Sequence, residues 1–217
     1  MNIKLSHLTP FIIFLLVIKL FTAKLSAEEL NVSFVEGKDY SLIKKTVRTD
    51  AVLLSELESI SHIEIFYWYG CGSCYQVESA IGDYLQQNPN YSYRRTPLII
   101  RPEWRQQAYI QPLMQQLSQQ QNLPNTLQIY QQCLIDCELL SDYSSILNWF
   151  AEKIENPLPT IDESKIWQAE KNYRKRANLF SINQVPTIII NETYKVDANQ
   201  AQTAKRLVEI ISFLLSK

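Results

Sequence analysis

The 217-residue sequence has little net charge, few histidines and, beyond its first thirty residues, no long apolar run. Its 21 Lys and Arg residues nearly balance its 22 Asp and Glu residues, and no dense basic stripe appears, which argues against a nucleic-acid partner. A cluster of Lys and Arg within 171–176 is interpreted as the solvated face of a predicted helix. No segment beyond residue 30 is long and apolar enough to cross a bilayer.

Residues 1–27 are predicted to form a secretory signal peptide. Lys4 is a short basic start, an apolar run covers 8–20, and small residues at 26–27 offer a cleavage point. A retained membrane anchor is the alternative, but Lys19 interrupts an apolar run already below the ~20 residues that a spanning helix needs. Export would place the mature chain in an oxidising compartment, where cysteines tend to pair.

The hydrophobic pattern of the mature chain predicts an α/β fold. Residues 63–69 are aromatic and β-branched, which is typical of a buried strand. After Cys74 the apolar residues recur at helical spacing until Asn88. The predicted order is strand 63–69, a helix to Asn88, strand 91–100, helices within 104–179, strands 187–190 and 193–196, and helix 204–215. This order is a βαβ unit and a ββα unit separated by an all-helical insertion.

The chain has few residues that could bind a metal. It contains Cys71, Cys74, Cys133 and Cys137, together with His7 and His62. A zinc site needs four ligands, and this set has poor spacing for one, so we predict no metal. Four cysteines allow three disulfide patterns. Local spacing favours Cys71 with Cys74 and Cys133 with Cys137.

The Cys71-Gly72-Ser73-Cys74 motif lies between a predicted strand and a predicted helix, which favours redox chemistry. The free N–H groups and dipole of a helix N-terminus stabilise negative charge and so lower the pKa of a thiol there. We therefore expect Cys71 to be the nucleophile and Cys74, one turn further in, to be the resolving partner.

A second candidate feature is Pro186, which follows Val185 and opens a predicted strand. An ordinary strand-opening proline is possible, but X-Pro bonds are the ones that adopt the cis form. We expect a cis bond here, leaving the Val185 backbone available to pair with an extended substrate beside the cysteines.

These segments together resemble the DsbA family. Residues 66–78 are similar to its active-site segment, 185–194 to its cis-proline loop and following hairpin, and 34–40 to its N-terminal strand and turn. Residues 102–104 lie where that family enters its helical insertion. The resemblance covers essentially the whole mature chain.

The resemblance implies a thioredoxin-like fold with an inserted all-helical domain. The predicted domains are 28–102 with 173–217 for the thioredoxin-like part, and 103–172 for the insertion. The implied function is a monomeric, periplasmic thiol:disulfide oxidoreductase that donates disulfides to unfolded exported polypeptides. A DsbB-like membrane quinone reductase would reoxidise it, and no cofactor is needed.

Three departures from the family pattern bear on this function. The family usually has Pro-His where this chain has Gly72-Ser73, which predicts a higher Cys71 pKa and a weaker oxidant. The family's buried acid stands at the position of Ile65, whereas here the acid is Glu64. A shift of one residue turns a strand side chain to the opposite face, so Glu64 could replace that acid only through a bulge.

The third departure is the additional pair, Cys133 and Cys137. A structural disulfide is the first interpretation, although bridging at this spacing is geometrically demanding. A reducible accessory pair is the alternative.

Two other functions remain open from the sequence. A reductase or isomerase with the same fold is favoured by the absence of a histidine between Cys71 and Cys74. A non-catalytic thioredoxin-fold chaperone would bind polypeptides in the same groove, beside Val185 and Pro186, although retention of Cys71 and Cys74 argues against it.

Overall fold

The computed structural model describes residues 33–43, 62–154 and 157–217, and the predicted signal peptide lies outside this range. Its strands are β1 (Ser41–Leu42), β2 (Ile63–Tyr67), β3 (Tyr93–Pro97), β4 (Thr187–Ile190) and β5 (Tyr194–Asp197). Its α-helices are α1 (Gly72–Gln87), α2 (Ile110–Gln116), α3 (Thr126–Asp136), α4 (Tyr143–Lys153), α5 (Glu163–Leu179) and α6 (Ala204–Leu215). None of the described helices is long and apolar enough to cross a bilayer.

The five strands form one mixed sheet in the order β1-β5-β4-β2-β3. Strand β2 is parallel to β3, as expected when a helix connects two neighbouring strands. The β2–β4, β4–β5 and β1–β5 pairs are antiparallel. The predicted α/β order is confirmed, and the fold is thioredoxin-like with a helical insertion between β3 and β4.

Strand β2 is buried on both faces, and its side chains alternate between two hydrophobic clusters. Ile63, Ile65 and Tyr67 belong to the larger cluster, which also contains Cys74 and residues of α6. Phe66 belongs to a second cluster against α5 and the loop after it. The sheet therefore separates a Cys74 side from an α5 side, and strand periodicity decides which side each residue of β2 faces.

The helical insertion shares its core with the Cys74 side of the sheet. Apolar residues of α2, α3 and α4 extend the larger cluster without interruption. The helices α3, α4 and α5 each begin at a polar N-cap, the residue type preferred there: Asn125, Asp142 and Asp162 respectively. The proposed division at residues 172 and 173 stays a prediction, and its boundary falls inside α5.

The interpretation of 171–176 as a solvated helix face is wrong for Arg176. Arg176 is only 2% exposed and faces the sheet from α5, beside the second cluster. Helix periodicity places it one turn before Phe180, so it points inward although its neighbour Lys175 is exposed.

Candidate active site

The candidate site lies where β2 ends and α1 begins. After Tyr67 the chain turns, and the Cys71 backbone N–H donates to the Trp68 carbonyl at 3.1 Å. Cys71 is the N-cap of α1, with an extended backbone, and its side chain accepts a hydrogen bond from the Cys74 N–H at 3.0 Å. A cysteine sulfur thus occupies the position where a helix offers unpaired N–H donors.

Cys71 and Cys74 form a disulfide, with their Cα atoms 5.2 Å apart. Cys71 is partly exposed, whereas Cys74 is fully buried in the larger cluster. An incoming thiolate must reach a sulfur along the S–S axis, so the exposed Cys71 sulfur is the one open to attack.

The two residues between the cysteines are exposed and carry no charge. Ser73 Oγ lies 3.4 Å from Cys71 Sγ and can share a weak hydrogen bond with it. A hydroxyl offers a dipole, whereas a protonated imidazole would offer a full positive charge. Ser73 therefore stabilises a Cys71 thiolate less than a histidine in that position would.

The Val185–Pro186 peptide bond, which the sequence predicts to be cis, is cis in the structure. Pro186 is buried, and Val185 packs against both hydrophobic clusters at the start of β4. The Val185 carbonyl accepts a hydrogen bond from the Asn199 side-chain amide at 3.3 Å. The Val185 backbone, which we expected to be available to a substrate, therefore already has a hydrogen bond at its carbonyl.

Glu64 does not replace the family's buried acid. The pairing of β2 with β3 and β4 runs in continuous register from residue 63 to 66, so no bulge turns Glu64 around. Ile65 faces the cluster that contains Cys74. Glu64 faces α5 instead, where Arg176 Nε donates to its Oε1 at 2.7 Å.

The Cys74 side of the sheet nevertheless contains a buried carboxylate that sequence reasoning missed. Glu78 lies one turn after Cys74 on the buried face of α1 and pairs with Arg95 of β3, with 2.7 Å between Oε1 and Nε. Tyr93 also donates to Glu78, at 2.7 Å. A signal existed, because the spacing of Cys74, Val77, Glu78 and Ile81 places a charged residue on an otherwise apolar helix face.

Arg95 connects Glu78 to the aromatic residues that line this side of the site. Its Nη1 donates to Gln111 at 2.6 Å and to Tyr69 at 3.2 Å, and its guanidinium lies 4.2 Å from the centre of the Tyr67 ring. Burial opposes its charge, but Tyr67, Tyr69 and Glu78 outweigh it and raise the pKa of Arg95 well above its usual value. Burial raises the pKa of Tyr67, because it disfavours the charged phenolate, so this hydroxyl stays protonated.

Trp68 lines the opposite side of the site and lies just before the cysteines in the chain. Its indole stacks on Trp104, with ring centres 4.7 Å apart and planes 10° from parallel. Its Nε1 donates to the buried Gln107 side chain. Gly70 makes this packing possible, because a Cβ there would collide with the Trp68 ring.

Replacing Gly70 with alanine is expected to displace Trp68 from Trp104 and to cost about 1–3 kcal/mol of stability, the usual range for overpacking. Tryptophan fluorescence and the denaturant midpoint measure both effects. Gly82→Ala is the matched control, because a Cβ there meets nothing within 4 Å and alanine favours a helix. Equal midpoints for the two variants would contradict the predicted collision.

Cys133 and Cys137 are also bridged, at the end of α3. Cys133 is buried in the larger cluster, and Cys137 is half-buried and packs against it. Gln107 Nε2 lies 3.0 Å from Cys137 Sγ. Among the described residues, no group of His, Cys, Asp and Glu side chains is arranged to hold a metal ion.

Comparison with known proteins gives the same family for sequence and for fold, although no protein-family model matches the chain. The thiol:disulfide interchange protein DsbA of Pseudomonas aeruginosa is 22% identical over 203 residues, covering 91% of this chain and 95% of that protein. A crystal structure of Pseudomonas aeruginosa DsbA superposes with a TM-score of 0.64 at 17% identity, covering 84% of this chain and 93% of the other.

Another similar structure contains a bound peptide. The structure of a Proteus mirabilis DsbA cysteine-to-serine variant, in complex with the non-covalently bound peptide PWATCDS, superposes with a TM-score of 0.60 at 16% identity. It covers 86% of this chain and 100% of that one. These likenesses show the thioredoxin-like fold with its helical insertion.

The similarities in sequence and in fold together indicate that the chain is a protein disulfide oxidoreductase of the thioredoxin-fold class. Within that class the chain is DsbA-like.

Proposed function

We propose that the protein is a periplasmic oxidase that donates disulfides to exported polypeptides through Cys71 and Cys74. The observation that carries the proposal is the hydrogen bond from the Cys74 N–H to Cys71 Sγ at the N-terminus of α1. The same donor and the helix dipole stabilise a Cys71 thiolate once the bridge is reduced. A stabilised thiolate is a good leaving group, which favours transfer of the disulfide to a substrate.

The reaction is two successive exchanges. A substrate thiolate attacks Cys71 Sγ, the Cys71–Cys74 bond breaks, and Cys74 leaves as a thiolate that takes up a proton. A second substrate thiolate then attacks the substrate sulfur of the mixed disulfide and releases Cys71 as a thiolate. The substrate loses two electrons and gains a disulfide, and the Cys71–Cys74 pair gains the two electrons.

Substrates would bind in extended form beside Val185 and Pro186. The Val185 carbonyl is held by Asn199, but in the part of the chain that the structure describes no group accepts from the Val185 N–H. An extended peptide could pair with that N–H. The cysteine-containing peptide bound to the Proteus mirabilis relative supports a polypeptide substrate of this kind.

The cellular setting follows from the same proposal. Residues 1–27 would direct export and be removed, the mature chain would act as a monomer in the periplasm, and a DsbB-like membrane quinone reductase would accept its electrons. The exchange itself uses only sulfur atoms and protons, so the proposal requires no cofactor.

A Cys74→Ala variant is expected to accumulate mixed disulfides with many exported proteins. Without Cys74, the adjacent thiol that resolves the bond between Cys71 and a substrate is missing. Non-reducing gels and mass spectrometry of purified adducts detect these species. Cys71→Ser is the matched control and should form none through residue 71. Recovery of the same partners without a covalent link would instead identify a non-catalytic chaperone.

A reductase is the second candidate, and the neutral Ser73 beside Cys71 favours it. A weaker stabilisation of the thiolate makes the dithiol a better electron donor. The direction of electron flow separates the two candidates and is measured by the reduction potential of the pair.

A further inference from the structure

The Cys133–Cys137 bridge holds little of the fold together. It joins the last turn of α3 to the short 3-10 turn that follows directly, Cys137–Leu140, and links no separate elements. The entropy that a crosslink removes from the unfolded chain grows with the length of the loop it closes, so a bridge across four positions removes little. Stabilisation of the fold therefore does not explain this disulfide, and another role is expected.

The two sulfur atoms lie in different surroundings. Cys133 is 4% exposed, whereas Cys137 is half-buried and followed by exposed residues. Exposed apolar side chains flank Cys137, namely Leu134, Ile135 and Leu139. An external thiol on a polypeptide can therefore approach the Cys137 sulfur, while the Cys133 sulfur is shielded.

Gln107 gives Cys137 the feature expected of a reactive sulfur. Its amide Nε2 donates towards Cys137 Sγ at 3.0 Å, and its Oε1 accepts from the Trp68 indole N–H. A donor at this position stabilises a thiolate on Cys137, which raises its thiolate fraction and makes it a better leaving group. The indole fixes the orientation of the amide.

Two short paths connect this bridge to the Cys71–Cys74 pair. Gln107 reaches Trp68, whose carbonyl accepts from the Cys71 N–H at 3.1 Å. Leu134, next to Cys133, has a methyl group 4.0 Å from where a Cβ on Gly72 would lie. A rearrangement at the end of α3 would therefore affect the residues on either side of Cys71 in the chain, through Trp68 before it and Gly72 after it.

We propose that Cys133–Cys137 is a second thiol–disulfide exchange centre, opened at Cys137 by an external thiol and coupled through Gln107 to the Cys71–Cys74 pair. The external thiolate attacks Cys137 Sγ, the bridge breaks, and Cys133 leaves and takes up a proton. A second external thiolate attacks the external sulfur, which releases the Cys137 thiolate and forms an external disulfide. The bridge gains two electrons, and the two external thiols supply them.

The first test uses a folded Cys71→Ser/Cys74→Ser variant, so it does not depend on the function proposed above. Glutathione is expected to open the bridge without denaturant and to form its adduct at Cys137, detected by alkylation and mass spectrometry. Adding Gln107→Met is expected to slow the release of Cys137 about 10-fold, because the donor to the departing thiolate is lost. A bridge that resists glutathione until the protein unfolds would overturn the proposal.

The second test measures the coupling and does rest on the Cys71–Cys74 chemistry. In a Cys133→Ala/Cys137→Ala variant, the equilibrium constant of the Cys71–Cys74 pair with glutathione is expected to change by at least about 3-fold, through the altered end of α3. Gln119→Ala, an exposed change between α2 and α3, is the control. A lower unfolding midpoint with an unchanged equilibrium constant would reveal a purely structural bridge and overturn the coupling.

Discussion

Replacing Arg176 with methionine is expected to lower the free energy of unfolding by about 3–5 kcal/mol, the usual cost of removing one partner from a buried ion pair. Arg176 pairs with Glu64 on β2 and, at 3.3 Å, with Glu192 in the turn between β4 and β5. Burial opposes the Arg176 charge, but its hydrogen bonds to both carboxylates outweigh burial and raise its pKa. Without this cation, two carboxylates would be left buried in the fold.

Urea unfolding followed by circular dichroism measures the loss. Lys175→Met is the matched control, because Lys175 is the exposed neighbour on the same helix and should change stability by less than about 0.5 kcal/mol. Adding Glu64→Gln to Arg176→Met should recover part of the loss, since one buried charge disappears. An Arg176→Met midpoint equal to that of Lys175→Met would show that the ion pair contributes nothing.

The sequence was sufficient for the parts of the fold that depend on local periodicity. The change from strand to helical spacing after Cys74 predicts α1, and the apolar stripe of α6 predicts a helix packed on the sheet. The predicted strand 91–100 is longer than β3, which pairs with β2 only over Tyr93–Pro97. The apolar residues 98–100 resemble a buried strand in sequence, but the ladder ends before them. Leu98 and Ile99 continue the buried core beyond the end of β3, whereas Ile100 is exposed.

The polar partners inside the fold could not be predicted, because they join distant parts of the chain. Glu64 and Arg176 are separated by 112 positions. Helical spacing puts Arg176 on the same face as Phe180, but only the packing of α5 against the sheet shows that this face is buried. Glu78 and Arg95 are a milder case, since each lies on an apolar face.

The candidate site also has a part that local sequence predicts and a part that only tertiary packing determines. The positions of Cys71 and Cys74 depend on one strand, one turn and one helix, all close in sequence. The involvement of Gln107 depends on how the helical insertion packs against Trp68, and no spacing in the sequence encodes it. Relations between the insertion and the sheet are tertiary, and they determine what surrounds the two disulfides.

Replacing Ser73 with histidine is expected to make the Cys71–Cys74 pair more oxidising by roughly 10- to 100-fold in its equilibrium with glutathione, because a charged imidazole near a thiolate lowers the thiol pKa by about 1–2 units. Ser73 is exposed and its Oγ lies 3.4 Å from Cys71 Sγ, so a longer side chain can approach that sulfur without entering the core. The helix N-terminus opposes a positive charge, which limits the gain.

The measurement equilibrates each variant in glutathione buffers, with Cys133 and Cys137 replaced by serine so that one pair titrates. Ultraviolet absorbance of the thiolate gives the Cys71 pKa independently. Ser73→Asn is the matched neutral control and should shift the equilibrium constant less than about 3-fold, since it adds a donor without a charge. With Ser73 retained, the pair in this background is expected between about −120 mV, the value for DsbA, and about −270 mV, the value for thioredoxin. A value near the first would mean that the helix N-terminus stabilises the thiolate without a histidine, and a value near the second would make the protein a reductase.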